Sequence, residues 1–571
     1  QTMKQGAVAV SGGTFEGVTC YEDPAYGFVS GGTFKSAVDA KAVATGFICK
    51  DNGNGTFGVV VDPKHGMVAQ IIRNDYYAEN QYFATINEAV QAAVTGETVT
   101  LIADVETSAA GYATITDGYA VIVAVKEKDI TLDLNGKSVT VTTTAEELAN
   151  AEGKMLMSVF GMDTNGKLTL TGNGSVKVNA NGANVYSLVA AYGEGSAVVI
   201  ENGNYEADVV NASGSLIYSH EMITVMGGTF KLGNLATGAN GSPWIFNTIG
   251  QNYTGVKVVG GTFPTDINHQ FWANEVLVPE AYALKNNGNG TWTVVDAVAY
   301  TVEKANSQGA YYRHVGYSLE DAIAATGKYN CKDNTVTMIK DITLEPITVA
   351  NGVKVAIDLN GKTISGTDNS TATYCLITNK GDLTINGTGA IQLTAKNDRG
   401  WGARSAVISN EVGGKLTVNG GTIQHLGGTS MAYAIDNLTN GKGTYAETII
   451  NGGEIKSTYR PIRMFLNGVE AQNILTVNAG TIESTGGNKA AIWMQDPSTK
   501  ANTGTLNVFD GTLAGDVYLD VTEGSTEWPV EVYIDKDALG QNVIHADNVP
   551  ADALPHLAEQ YHITGDEGWL Q

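Results

Sequence analysis

The chain has 571 residues, 69 of them glycine and only 11 proline, and its 43% hydrophobic and 16% charged content excludes disorder and describes many short strands joined by tight turns. With 59 acidic against 34 basic residues the net charge is −25, which repels phosphate backbones, and no apolar run approaches the roughly 20 residues that span a bilayer, so neither a nucleic-acid partner nor membrane insertion is expected. Four cysteines (Cys20, Cys49, Cys331, Cys375) are too few for a disulfide framework and lack Cys-x-x-Cys spacing; free thiols are expected, with a Cys20–Cys49 pair as the alternative.

The first residues, Gln1-Thr-Met-Lys-Gln5, carry neither an initiator methionine nor a signal segment, and the chain is expected to have been processed or cut. Gly-Gly-Thr-Phe stands at Gly12–Phe15 and Gly31–Phe34, and Phe47 to Val60 reads as a hairpin turning at Asn-Gly inside Asp51-Asn-Gly-Asn-Gly-Thr56. Residues 1–62 therefore read as the C-terminal part of a truncated module. Its front is either upstream sequence absent here or is supplied by the coils of a neighbouring molecule, which would give a head-to-tail filament.

A linker over 63–82 leads to a module at 83–297. Thr85 and Glu88 have the spacing of a capping box, and the short helix they start is expected to cover the first coil, whose bare edge would otherwise invite aggregation. Leu132-Asp-Leu-Asn-Gly-Lys137 follows, then Gly-Gly-Thr-Phe at Gly227–Phe230 and Gly260–Phe263, then a second closing phrase from Ala283 to Val295. A linker over 298–315 leads to the second module, 316–535. Ser318 and Asp321 repeat the cap 233 residues after its first occurrence, and Ile357-Asp-Leu-Asn-Gly-Lys362 repeats the strand at an offset of 225. Residues 536–571 are a terminal cap or a junction to unseen sequence.

Inside the second module one phrase recurs: Leu416-Thr-Val-Asn-Gly-Gly-Thr-Ile423, Thr448 to Ile455, Leu475 to Ile482 and Leu506 to Leu513. Its glycines, Gly421, Gly453, Gly480 and Gly511, lie 32, 27 and 31 residues apart, as coils of a solenoid with loops of variable length would place them. Leu416 and Val418 alternate with Thr417 as in a half-buried strand, and the Asn-Gly-Gly corner tolerates positive φ. One such unit cannot bury its apolar side alone. The fold class expected is all-β: tandem right-handed parallel β-helix (β-solenoid) modules with short capping helices, the hand following from parallel connections.

The Gly-Gly-Thr-Phe units, the Asp-Leu-Asn-Gly-Lys strands at Asp133 and Asp358 and the Asp51–Thr56 hairpin together resemble the β-helical repeat regions of large secreted or wall-attached bacterial surface proteins. The resemblance spans almost the whole chain and implies an extracellular or cell-surface location and an adhesin-like or filament-forming structural role, with itself or surface glycans as partners. Phage fibres and tailspikes share the architecture and stand as an alternative.

The rival reading is a polysaccharide lyase or glycoside hydrolase on the same scaffold, which needs clustered acids or a calcium-binding carboxylate group beside a basic residue. Asp133 and Asp358 recur at matching turns, and eight histidines (His65, His220, His269, His314, His425, His545, His556, His562) are scattered, so no catalytic residue, metal site or cofactor is expected. Aromatics and arginines that break the repeat are the candidates for glycan contact: Trp401, Trp493, and Tyr459 with Arg460 and Arg463.

Overall fold

The computed structural model describes residues 8–16, 27–73, 80–111, 113–115, 119–148, 155–181, 183–209, 214–235, 245–248, 255–267, 278–305, 307, 309, 313–400, 402–487, 490–496, 502–521, 530–547 and 563–564. It is a mostly β protein arranged as a parallel β-solenoid of about 13 turns with few short helices. Two compact units are formed, one from residues 1–279 and 284–295, the other from 280–283 and 296–571.

In the second unit each coil gives one strand to each of three parallel sheets. The alternation seen in Leu416-Thr-Val418 sends Leu416 and Val418 fully inward and leaves Thr417 half-buried. Register then repeats the inward residue from coil to coil. In the first sheet the row is Ile385, Val418, Ile450, Val477, Val508 and Ile534. In the second it is Ile364, Ile391, Ile423, Ile455, Ile482 and Leu513. In the third it is Ile377, Ile408, Ile435, Ile462, Ile492, Val517 and Ile544. These rows make one continuous core, and each buried aliphatic side chain contributes about 1.5–3 kcal/mol that an isolated coil could not collect.

The corner between first and second strands is where glycine is required. Gly421, Gly453, Gly480 and Gly511 have φ of +78°, +86°, +102° and +106°, and the carbonyls of Gly421, Gly453 and Gly480 accept from Glu454, Thr481 and Thr512 N–H one coil on, at 2.8–2.9 Å. Beside this corner Asn386, Asn419, Asn451 and Asn478 form an exposed ladder of side-chain amide bonds, each 2.8 Å. A second ladder runs inside. Asn379, Asn410, Asn437 and Asn473 are fully buried and bond in series at 2.8, 2.8 and 2.6 Å, which satisfies polar groups that an apolar core could not.

The first unit repeats the plan with inward rows Val99, Leu132, Leu170, Ile200, Val225, Val258 and Val123, Phe160, Val189, Ile217, Phe246. In the remaining sheet, aromatic rings replace aliphatics toward the end, and Tyr205, Phe230 and Phe263 stack 5.3 and 4.9 Å apart. Phe15 and Phe34 stack likewise at 4.9 Å in the N-terminal sheet, where Val10–Phe15 pairs in parallel with Val29–Phe34. Phe57–Val61 then adds antiparallel, as Trp292–Asp296 does on Thr262–Phe263. In both closing hairpins Asn54 or Asn289 accepts from the backbone and hydroxyl of the threonine two residues on.

The helix Ile86–Ala92 has Thr85 as N-cap: Glu88 N–H donates to Thr85 Oγ1 and Thr85 N–H to the Glu88 carboxylate, both at 3.1 Å. Lys128 Nζ donates to the carbonyls of Val90, Gln91 and Ala93 at the other end. Ser318 caps Leu319–Lys328 by accepting from Asp321 N–H at 3.1 Å, and Leu319 and Ala322 of that helix join the core. The stretches read as linkers differ from that expectation, because both contain paired strands. Ala69–Ile71 pairs antiparallel with Gln81–Phe83 and with the first parallel strand Thr98–Leu101, and Ala299–Val302 pairs antiparallel with Arg313–Gly316 and Thr335–Met338. They occupy the otherwise open edge of one sheet in each unit, which a flexible linker would leave bare.

Candidate functional site

The third sheet of the second unit is buried on both faces. Ala434 and Ile435 both join the core, after which Asp436 turns outward, and register places Ser409, Asp436, Arg463, Trp493, Tyr518 and His545 in one outward row. The segments leading into these strands lay Arg404, Tyr459 and Arg460 over the row.

Arg463 grips Asp436 with both arms of its fork, Nε to Oδ1 at 2.7 Å and a terminal nitrogen to Oδ2 at 2.9 Å, and Arg404 Nε lies 2.6 Å from the same carboxylate. Arg404 also donates to Glu411 at 2.9 Å. Burial works against the charge on Arg463, but the Asp436 carboxylate more than offsets it and holds the guanidinium above its usual range. Arg460 is pushed down by burial, and its guanidinium lies 3.8 Å from the Trp493 ring centre, 4.9 Å from Tyr459 and 5.6 Å from Tyr518. Cys375, in the same cluster, is pushed up to about 11 by burial.

Three sequence candidates therefore meet. Tyr459, Arg463 and Trp493 share one cluster, while Trp401 lies outside the described residues. Trp493 is 3% exposed and Arg463 7%, and the ring face and fork are taken up by Arg460 and Asp436.

A second polar knot sits at the corner before this sheet. Arg399 pairs with Asp368, both with fully buried side chains, Ser405 Oγ donates to Asp368 at 2.6 Å, and His425 Nε2 lies 2.8 Å from Ser405 Oγ. Burial pushes His425 down to about 4. The serine faces the acid directly, so histidine does not relay between them, and Arg399 neutralises the carboxylate.

The equivalent sheet of the first unit carries a feature that the sequence reading did not single out. Outward residues Ala124, Gly161 and Ala190 are small, and around them gather Tyr119, Tyr186, Tyr192, Tyr218 and His220. The signal was present: Tyr218 stands where Ala190 stands one coil before, with Tyr192 and His220 each two residues further on, but irregular loops hide the period.

Elsewhere, Asp133 and Asp358 accept from Asn135 and Asn360 N–H at 2.8 and 3.0 Å, and those asparagines donate to Leu101 and Met338 carbonyls in the coil before. Cys49, Cys331 and Cys375 are free thiols, and Cys20 lies outside the described residues. His314 meets Glu303 and His545 meets Asp516, at 2.6 and 3.1 Å; His269, His556 and His562 also lie outside. Among the described residues no three His, Cys, Asp or Glu side chains gather as metal ligands, and no helix is long and apolar enough to cross a membrane.

Comparisons of the chain with protein-family models, with curated proteins and with solved structures give no match.

Proposed function

We propose that the protein is a non-catalytic structural and adhesive element of an extracellular surface, built to present solenoid faces to glycans or to copies of itself. The observation that carries this reading is where its charges go. Lys177 meets Glu206, Lys354 meets Asp382, Lys415 meets Glu447 and Lys456 meets Glu483, each pair joining neighbouring coils at 2.9–3.4 Å. The buried carboxylates follow the same rule, since Asp436 is gripped from the next coil by Arg463 and Asp368 by Arg399. Side-chain chemistry is spent on holding coil to coil, which suits a scaffold that bears load and offers faces.

Labelling intact source cells with an antibody to the second unit, together with protease shaving, tests the location, and adhesion of protein-coated beads to glycan surfaces tests the role. Surface signal and specific adhesion are expected. Release of reducing sugar or unsaturated uronate from polysaccharides would favour the enzyme reading, and labelling confined to virions would favour a phage fibre.

A further inference from the structure

The tyrosine face of the first unit has the composition of a sugar platform. Register puts Ala124, Gly161, Ala190, Tyr218 and Asn247 in one outward row of the third sheet, so three coils of small residues end at a tyrosine and an amide. The row itself is covered: Gly161 and Ala190 are buried, and a methyl on Gly161 would lie 2.5 Å from Val121 Cγ1, so the face offered to solvent is made by the rings beside it.

Rings flank the row. Tyr119 meets Tyr192 edge-on at 5.1 Å, Tyr186 meets Tyr218 edge-on at 5.0 Å, and Tyr192 stacks on His220 at 5.0 Å and 30°. Tyr218 is buried, whereas Tyr119, Tyr186 and Tyr192 are half-buried and His220 is exposed at the rim. The polar ends are fixed: Tyr218 Oη and His220 Nε2 are 2.5 Å apart, and Asn247 donates to Tyr186 Oη at 3.2 Å. Aromatic edges held by each other and by hydrogen bonds lose little entropy when a ligand arrives.

We propose that this face binds a neutral oligosaccharide or polysaccharide chain, with Tyr119 and Tyr192 receiving the C–H faces of the sugar rings and Tyr186, His220 and Asn247 meeting the hydroxyls. The inference deepens the reading of the protein as a glycan-contacting surface element, and rests on it. Charge selects the class of ligand. The protein carries −25, which opposes acidic glycans, and the groups gathered on the face are uncharged near neutral pH. Burial raises Tyr186 and Tyr218 and lowers His220, with Glu221 as the acidic neighbour that partly offsets the last.

Native electrophoresis of the whole chain through gels containing β-glucan, galactomannan or mannan tests the proposal, with polygalacturonate as the charged comparison. Retardation by at least one neutral polymer and none by polygalacturonate is expected. Tyr119→Ala and Tyr192→Ala should each weaken retention about tenfold, roughly the loss of 1.4 kcal/mol of stacking. Tyr186→Phe, which keeps the ring, should weaken it several-fold, while Tyr533→Ala on an exposed aromatic of the second unit leaves it unchanged. Circular dichroism and melting of each variant separate loss of binding from loss of fold. No retardation by any neutral polymer overturns the proposal, as does stronger retention by polygalacturonate. Retention that survives both alanine variants overturns this site while leaving glycan contact elsewhere standing. Tyrosine-dependent self-association in sedimentation, without retention, would assign the face to a second copy and overturn the sugar assignment.

Discussion

Gly453 sits directly over Gly421 of the preceding coil: a methyl built on Gly453 would fall 2.5 Å from the Gly421 carbonyl oxygen, and that oxygen accepts the N–H of Glu454 at 2.9 Å. The corner is thus fixed twice, by a φ of +86° and by the neighbour beneath it.

Gly453→Ala is expected to cost about 2–4 kcal/mol, because left-handed strain and a backbone collision add. Gly352→Ala separates the two, since φ there is +81° with nothing within 4 Å of the added methyl, and only the strain of about 1–2 kcal/mol should appear. Melting of the two variants checks the order.

The two asparagine ladders give a second contrast. Asn437 is fully buried, donates to Asn473 and accepts from Asn410 and Thr448, so Asn437→Ala takes one buried bond from each of the three and should cost about 2–4 kcal/mol. Asn451→Ala breaks the exposed ladder, where water replaces the amide, and should cost about 1 kcal/mol or less. Equal losses in a denaturant series would contradict the assignment of one ladder to the interior.

What could be read in the residues follows from this geometry. The phrase from Leu416 to Ile423 is legible because strand, corner and strand occupy consecutive positions, and the corner admits few residue types. Thr85 with Glu88 is legible for the same reason, a local bond at fixed spacing. The interior asparagine ladder is less so: Asn379, Asn410 and Asn437 are register partners, but the next residue of their row is Met464, and the last bond crosses to Asn473 in another sheet. Nor could the strings reading 63–82 and 298–315 announce that their short strands would turn back on the first coil. The outward clusters are hardest of all. Arg460 reaches Trp493 only after a whole coil has passed, and Asp368 meets Arg399 and Ser405 across 31 and 37 residues.

The Asp436 cluster predicts an asymmetry between breaking and replacing. Arg463→Ala leaves a buried carboxylate with Arg404 alone and should cost about 3 kcal/mol, and Arg463→Lys should recover little because a single ammonium cannot span both oxygens. Asp436→Asn with Arg463→Leu removes both charges and should be markedly less damaging than Arg463→Ala. Chemical denaturation of the three variants measures this.

His425 predicts the direction of acid sensitivity. The folded protein keeps the ring neutral until about pH 4, whereas the unfolded chain takes up a proton near 6.5, so stability is complete above the upper value and falls as pH drops through that window. The full effect is about 3 kcal/mol. His425→Asn should flatten the loss between pH 6.5 and 4 relative to the native chain, and an unchanged slope would contradict the burial of a neutral ring against Ser405.

The stacking of coils in register is tested most directly by distances along one corner. Thr363, Ala390, Thr422, Glu454, Thr481 and Thr512 are successive register partners in the second sheet. Spin labels introduced as noncanonical residues at Thr363 and, in turn, at Glu454, Thr481 and Thr512 should give pulsed-EPR distances of about 14, 19 and 24 Å, rising by one inter-strand spacing per coil. Distances that fail to rise in that order, or that scatter as separate loops would, contradict the stacking of coils into a solenoid.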